Sequence, residues 1–264
     1  MKILDAHVHI YPDAIADKAS QAISDFYGYH MDYNGSVAQL LKEGKEAGIT
    51  HYLVHSVATT HHQVASINSF LHAEVQKHPE FIGFCTLHPS MTEEEIASEL
   101  DKVIQNGFKG IKLHPDFQRF YVDGEDAMKI YRVNNGRLPI LLHMGDKRTE
   151  FSQPERLVKM AKLFPNTTFI GAHFGSHSCN EKIPLYKGLD NVMFDTSSSF
   201  AFMPDLKVAK DAINLLGYEK FMFATDYPMW DAKSELEYFF SLGLSDEENE
   251  AILFGNAARL LGIN

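Results

Sequence analysis

The sequence predicts an α/β fold, a closed parallel (β/α)8 or TIM barrel built from residues 1–264 as a single domain. Three observations lead there. Eight short apolar runs rich in Val, Ile, Leu and Phe alternate along the chain with amphipathic, charge-bearing segments. These runs are apolar throughout rather than at every second residue, which reads as strands buried on both faces, and strands separated by helices read as a parallel sheet. An open doubly wound sheet usually carries a glycine-rich phosphate turn after its first strand, whereas this chain continues Ile10-Tyr11-Pro12. No composition break or low-complexity linker divides the 264 residues, an ordinary length for one barrel.

The first strand, residues 3–9, carries Asp5-Ala6-His7-Val8-His9. Side chains alternate across a strand, so His7 and His9 share one side with Cα atoms roughly 6.6 Å apart. Two such imidazoles can converge on one metal ion or sit hydrogen-bonded in a core, and the strand alone leaves both readings open. Residues 10–35 form a long connection containing Tyr11, Phe26, Tyr27, Tyr29, His30 and Tyr33, with a short helix expected over 13–24. It reads as an aromatic lid over the strand's exit, with Tyr11 as a substrate contact, or as an ordinary capping segment.

Helix 36–47 stops at Gly48, ahead of strand 49–57 with His55. His61 and His62 belong to a loop or helix start before helix 66–77. Strand 81–87 places Cys85 in the core and is followed by His88. His55 and His88 can face the barrel's mouth, where a supporting or structural role is expected. Thr92-Glu93-Glu94-Glu95 is a capping-box opening for helix 92–105, and Gly107 follows its end. Strand 108–114, helix 125–134, strand 138–144, helix 155–163 and strand 167–173 continue the alternation. Strand 191–196, helix 205–216 and strand 220–226 complete it, and helical stretches 234–240, 246–254 and 256–260 close the outer ring. Asp195-Thr196-Ser197-Ser198-Ser199 reads as a polar exit loop, because no G-x-S-x-G elbow accompanies the serines.

Lys and Arg total 24 against 35 Asp and Glu, a formal net charge of −11. Nucleic acid and anionic membrane are disfavoured as partners, since phosphate binding needs clustered positive charge. Two cysteines, Cys85 and Cys179, make neither a disulfide framework nor a cysteine-rich zinc site. No signal-like segment precedes the first strand, and no apolar run reaches membrane-spanning length. The expectation is a soluble cytoplasmic protein acting on a small molecule, with a homodimer possible.

The chemistry lies at strand ends. His114, His143, His173 and Asp226 each terminate a buried strand, on the face where barrel active sites are built. Packing alone explains such a set poorly, because every buried polar group needs a partner. Together with His7-x-His9, these residues give the chain a resemblance to the amidohydrolase superfamily, most closely to its amidohydrolase-related branch that includes aminocarboxymuconate-semialdehyde decarboxylase-like proteins. The resemblance covers nearly the whole chain. It runs through Gly110-x-Lys112-Leu113-His114-Pro115, His143, His173 and Thr225-Asp226-Tyr227-Pro228 to Gly255-Asn256-Ala257-Ala258-Arg259-Leu260.

The resemblance implies one divalent ion per chain, zinc by preference, held by His7, His9, His143 and Asp226. Asp226 would also serve as general base towards water, and His173 would orient that water or stabilise an oxyanion. His114, at the strand exit, takes a substrate or catalytic role. In a two-metal variant His143 and His173 hold the second ion, with Lys112 as the candidate carboxylated bridge. Lys112, Arg119, Lys147 and Arg148 fall on or after strands four and five, so Lys112, Lys147 and Arg148 are candidate anchors for a substrate carboxylate. The leading expectation is hydrolysis of a C–N or C–O bond in a small amide, lactone or ester, and the alternative is metal-dependent decarboxylation. A non-catalytic binding protein is disfavoured because Asp226 and His173 complete an acid/base set. A nuclease is disfavoured by the charge and by Lys112-Leu113-His114 standing where an acid is needed.

Overall fold

The computed structural model describes residues 1–31 and 33–263. Its strands are β1 (Leu4–His9), β2 (His51–His55), β3 (Phe81–Thr86), β4 (Gly110–Leu113), β5 (Ile140–Leu142), β6 (Phe169–Gly171), β7 (Val192–Asp195) and β8 (Phe221–Met222). They form one sheet in sequence order. The last strand's continuation returns to the first: Val8 bridges Tyr227 in parallel, Ala6 N–H donates to Phe223 O at 2.9 Å, and His9 N–H donates to Tyr227 O at 2.8 Å. The architecture is the expected (β/α)8 barrel.

Outward-facing Val8, Val54, Ile111, Leu142 and Phe194 pack against the helices. Each such side chain contributes roughly 1.5–3 kcal/mol on burial. Inward-facing Leu4, Ala6, Leu53, Phe84, Leu141 and Ile170 form an apolar plug. Further along the same interior the residues turn ionisable, with His55, His114, His143, Asp195 and Asp226, so the barrel is graded from greasy floor to polar mouth.

β1 carries an irregularity that serves this gradient. Asp5 pairs with Tyr52 but Val8 with Val54, so β1 holds an extra residue there. Such a bulge re-aims side chains. It lets Leu4 and Ala6 join the plug while His7 and His9 face the same interior one layer higher. Alternation correctly puts His7 and His9 together, but it does not foresee Ala6 and His7 both turning inward.

Two expected strands end early for a related reason. β6 stops at Gly171, and His173 and Phe174 adopt φ values of 60° and 55°. β8 stops at Met222, Phe223 N–H turns to Ile252 O at 2.9 Å, and Asp226 has φ 68°. Residues at positive φ leave the extended conformation, so each functional side chain stands just beyond its strand.

Three helical segments matter for the mouth. α1 (Ala16–Tyr27) lies somewhat later than the predicted 13–24 and ends at Gly28, whose φ of 73° stops the helix. α2 (Val37–Ala47) follows it. A single unforeseen turn, Pro115–Gln118, opens directly after β4 with proline at its start and His114 as its cap. At the chain's end the predicted 246–254 helix gives way after Glu250 to a π-turn over Ala251–Gly255.

Candidate metal centre

His7, His9, His114, His143, His173 and Asp226 line one cavity of ≈ 30 Å³. The barrel mouth therefore gathers all six strand-end residues. Its remaining walls are Ile23, Tyr27, Met31, Phe117, Pro228 and Met229. α1 roofs it with Ile23 and Tyr27.

The first group sits at the β1–β8 junction. His7 Nε2 and His9 Nε2 are 3.3 Å apart, and Asp226 Oδ1 lies 3.4 Å from the first and 3.5 Å from the second. His7 Nδ1 is 2.8 Å from Asp195 Oδ2, which takes its proton and leaves the Nε2 lone pair facing His9 and Asp226. Burial drives His7 and His9 well towards the neutral form that metal ligation requires. Burial acts to raise the Asp226 carboxyl, but the imidazoles of His7, His9 and His173 outweigh it and hold the group well below the usual carboxylate range. Around a tetrahedral ion with ligand bonds of about 2.0–2.1 Å, neighbouring ligand atoms lie about 3.3–3.4 Å apart. The three donors thus fit a divalent cation in spacing and in protonation.

Lys112 belongs to the same corner. Completely buried, it shares a layer with Thr86 and Leu141 and brings Nζ to 2.9 Å from His7 Nε2. Burial pushes its amine down to about 8, against the pull of Asp195 and Asp226. That amine readily gives up its proton, and with it the hold on His7, when a cation takes the lone pair.

The second group spans β4 to β6. Phe117 N–H donates to His114 Nδ1 at 3.3 Å, so the neutral ring carries its proton on Nε2, 3.0 Å from Tyr27 Oη. At the far end His173 Nδ1 lies 2.8 Å from Ser197 O and must donate to it, leaving its Nε2 to accept from His143 Nδ1 at 2.9 Å. Tyr27 Oη lies 3.5 Å from the remaining His143 nitrogen. The result is a hydrogen-bond chain of fixed direction, from His114 through Tyr27, His143 and His173 to the backbone. Burial depresses all three imidazoles, His173 to about 4. Among the described residues no hydrogen bond or ion pair joins His143 to His7, His9 or Asp226.

The sequence-predicted anchors lie elsewhere. Among the described residues, Tyr11, Lys112, Lys147 and Arg148 are not in the cavity wall. Tyr11 packs its ring on Gly35, and Lys147 is exposed on the loop after β5. Arg148 is already engaged, with Nη2 2.6 Å from Asp146 Oδ2, Nη1 donating to Phe26 O at 2.8 Å, and its guanidinium over the Phe26 and Tyr27 rings. It fastens α1 over the site, which corrects its reading as a free carboxylate anchor.

Sequence reasoning missed two positioning groups. Asp195 takes His7 Nδ1, His173 N–H and Ser197 N–H, tying β1, β6 and β7 together at the mouth. Its signal was an acid ending a buried strand. Asp116 lies 3.7 Å from His143 Nε2, and burial raises it to about 6. Its place depends on the helical turn that the apolar pattern did not show.

No curated protein matches the chain in sequence. Solved structures share its fold over nearly all of both chains. The 5-carboxyvanillate decarboxylase of Sphingomonas paucimobilis aligns at TM-score 0.78 and 16% identity, over 100% of this chain and 99% of that one. A dihydroxybenzoic acid decarboxylase from Polaromonas, with bound manganese and the inhibitor 2-nitroresorcinol, aligns at 0.77 and 17%, over 99% and 97%. A probable 2-pyrone-4,6-dicarboxylic acid hydrolase from Acinetobacter baumannii, with citric acid bound, aligns at 0.72 and 18%, over 100% of both. A family model described as amidohydrolase matches residues 4–263, and with the eight-stranded barrel and its mouth of imidazoles in place, the chain belongs to the amidohydrolase family.

Proposed function

We propose that this chain is a metal-dependent hydrolase that breaks a C–N or C–O bond of a small amide, lactone or ester. The carrying observation is the His7–His9–Asp226 triangle, whose 3.3–3.5 Å edges suit one divalent ion. The family resemblance supplies His143 as a further donor, a role that requires its Nε2 to exchange Tyr27 Oη for the ion. When bound, such an ion polarises a carbonyl and brings the pKa of its water from 15.7 towards about 7.

The chain's own groups do the rest. Asp226, held ionised at the cavity wall, takes the proton of the attacking water. Tyr27, on the cavity wall, turns its hydroxyl proton from His143 Nε2, 3.5 Å away, to donate to negative charge developing on the substrate, and His114 and His173 hold Tyr27 and His143 in place. Ile23, Met31, Phe117 and Met229 receive its apolar body. Any substrate carboxylate is assigned to Lys147, an exposed expected anchor that, unlike Arg148, makes no ion pair among the described residues.

A specific observation also favours decarboxylation. Among the described residues the cavity wall contains no Lys or Arg, and half of it is apolar or aromatic. A carboxylate held there is poorly solvated, and its loss as carbon dioxide spreads the charge. Two of the three structural neighbours named above are decarboxylases, which supports this reading, and the third is a probable hydrolase. Protein from metal-supplemented growth is expected to carry about one ion per chain by elemental analysis, zinc being the preferred candidate, and a metal-free result defeats both readings. A screen of lactones, amides and carboxylated aromatics then separates them. Carbon dioxide release without net addition of water excludes the hydrolase.

A further inference from the structure

A third imidazole stands beside the His7–His9 pair. His55 ends β2 directly opposite His9 in the β1–β2 register. Its ring centroid lies 4.8 Å from that of His7 and 4.4 Å from that of His9, edge-on to both. The residue is wholly buried, and among the described residues neither of its ring nitrogens has a hydrogen-bond partner. One of those nitrogens falls within 4.8 Å of a ring nitrogen on each of His7 and His9.

An imidazole kept only for its shape is a poor choice for that position. A buried donor or acceptor left unmet keeps its full desolvation penalty, and a leucine of similar size carries none. The neighbouring rings show what a furnished histidine looks like here: His7 has Asp195, His114 has Phe117 N–H and Tyr27, and His173 has Ser197 O. Among the described residues of the mouth, His55 has no hydrogen-bond partner on either ring nitrogen, and it sits beside the two rings whose nitrogens converge on a cation.

We infer that His55 is a ligand of the divalent ion, making His7, His9, His55 and Asp226 a four-donor set carried by β1, β2 and the segment after β8. The inference rests on the metal-dependent reading above and extends it to a residue outside the expected ligands. It also accounts for one of the two orphaned nitrogens, since a coordinated imidazole spends its one lone pair on the ion and is the type of group metal sites recruit most often.

The test compares wild-type protein with His55→Leu and His55→Gln. Leucine preserves the packing and glutamine preserves polarity, so one variant remains informative if the other misfolds. Folding of the metal-free forms is checked by circular dichroism and thermal melting. Zn2+ affinity is then measured by competition with a chromophoric chelator, and the visible spectrum of the Co2+ form reports the ligand set. We expect both folded variants to bind Zn2+ roughly 100-fold more weakly than wild type, with an altered Co2+ spectrum. Wild-type affinity and an unchanged spectrum in His55→Leu overturn the assignment and leave the metal-dependent reading intact. Absence of metal binding by the wild-type protein itself overturns both.

Discussion

Two clusters of imidazoles face each other across the cavity, alike in composition and opposite in the use of their protons. At the β1–β8 junction, His7 Nε2 and His9 Nε2 face each other and the Asp226 carboxylate at 3.3–3.5 Å, and the buried Lys112 amine lies 2.9 Å from His7 Nε2. Across β4 to β6, His114, His143 and His173 are threaded on a continuous line of donors and acceptors through Tyr27. Lone pairs without protons suit a cation, whereas a directed line of protons suits a developing negative charge. The imidazoles of both clusters are buried, so what divides them is the partner on each ring's far nitrogen: a carboxylate for His7, backbone groups for His114 and His173.

Breaking that division should have its largest effect at Asp226. Asp226→Asn is expected to keep the fold and lower turnover on the order of 10³-fold, measured as kcat on whichever substrate the screen yields. Wild-type rates in that variant remove the residue from the mechanism. On the opposite side, His173→Gln should cost roughly 100-fold in kcat with the metal content unchanged. If elemental analysis shows two ions in wild type and one in this variant, the second cluster is itself a metal site and the division collapses.

A subtler change tests the far-nitrogen argument. Asp195→Asn weakens the acceptor for His7 Nδ1 and frees the ring to take the wrong tautomer, so ion affinity should fall about 10–100-fold in a chelator competition. The smallest effect concerns Asp5, which accepts from His7 N–H and Thr225 N–H and so ties the two sides of the metal corner together. Burial pushes its carboxyl up to about 7 from an ordinary 3.8. The folded protein therefore prefers the protonated acid. Its contribution to stability is complete below the ordinary value and lost as pH rises through about 7. Relative to Asp5→Asn, the wild-type melting temperature should drop by about 5 °C between pH 4 and 8. Parallel melting curves for the two proteins contradict the shift.

Much of this was legible before any coordinates. Eight apolar runs are enough to give a barrel, because only strands buried on both faces tolerate such sequences, and strand-end histidines in a barrel have one mouth to share. The limits were local. His173 and Asp226 occupy left-handed backbone that propensity does not signal, so strands six and eight read too long. Arg148 looked like a free cation because pairing with Asp146, two residues earlier, depends on the turn between them. Tyr27 was one aromatic among several in the long connection, and only the end of α1 at Gly28 decides that it reaches the imidazoles. His55 looked secondary because isolation of its nitrogens is a property of its surroundings, invisible in the residue itself.

The additional residue between Asp5 and Val8 makes the mouth sensitive to length in a way it is not sensitive to composition. A substitution at Ala6 or Val8 disturbs one layer of packing. A deletion there shifts the phase of the strand, sending either the plug residues or both imidazoles out against the helices. β1 thus behaves like a reading frame folded in space. Chains that vary this site by exchanging side chains keep its chemistry within reach, and chains that gain or lose one residue in the strand abandon it.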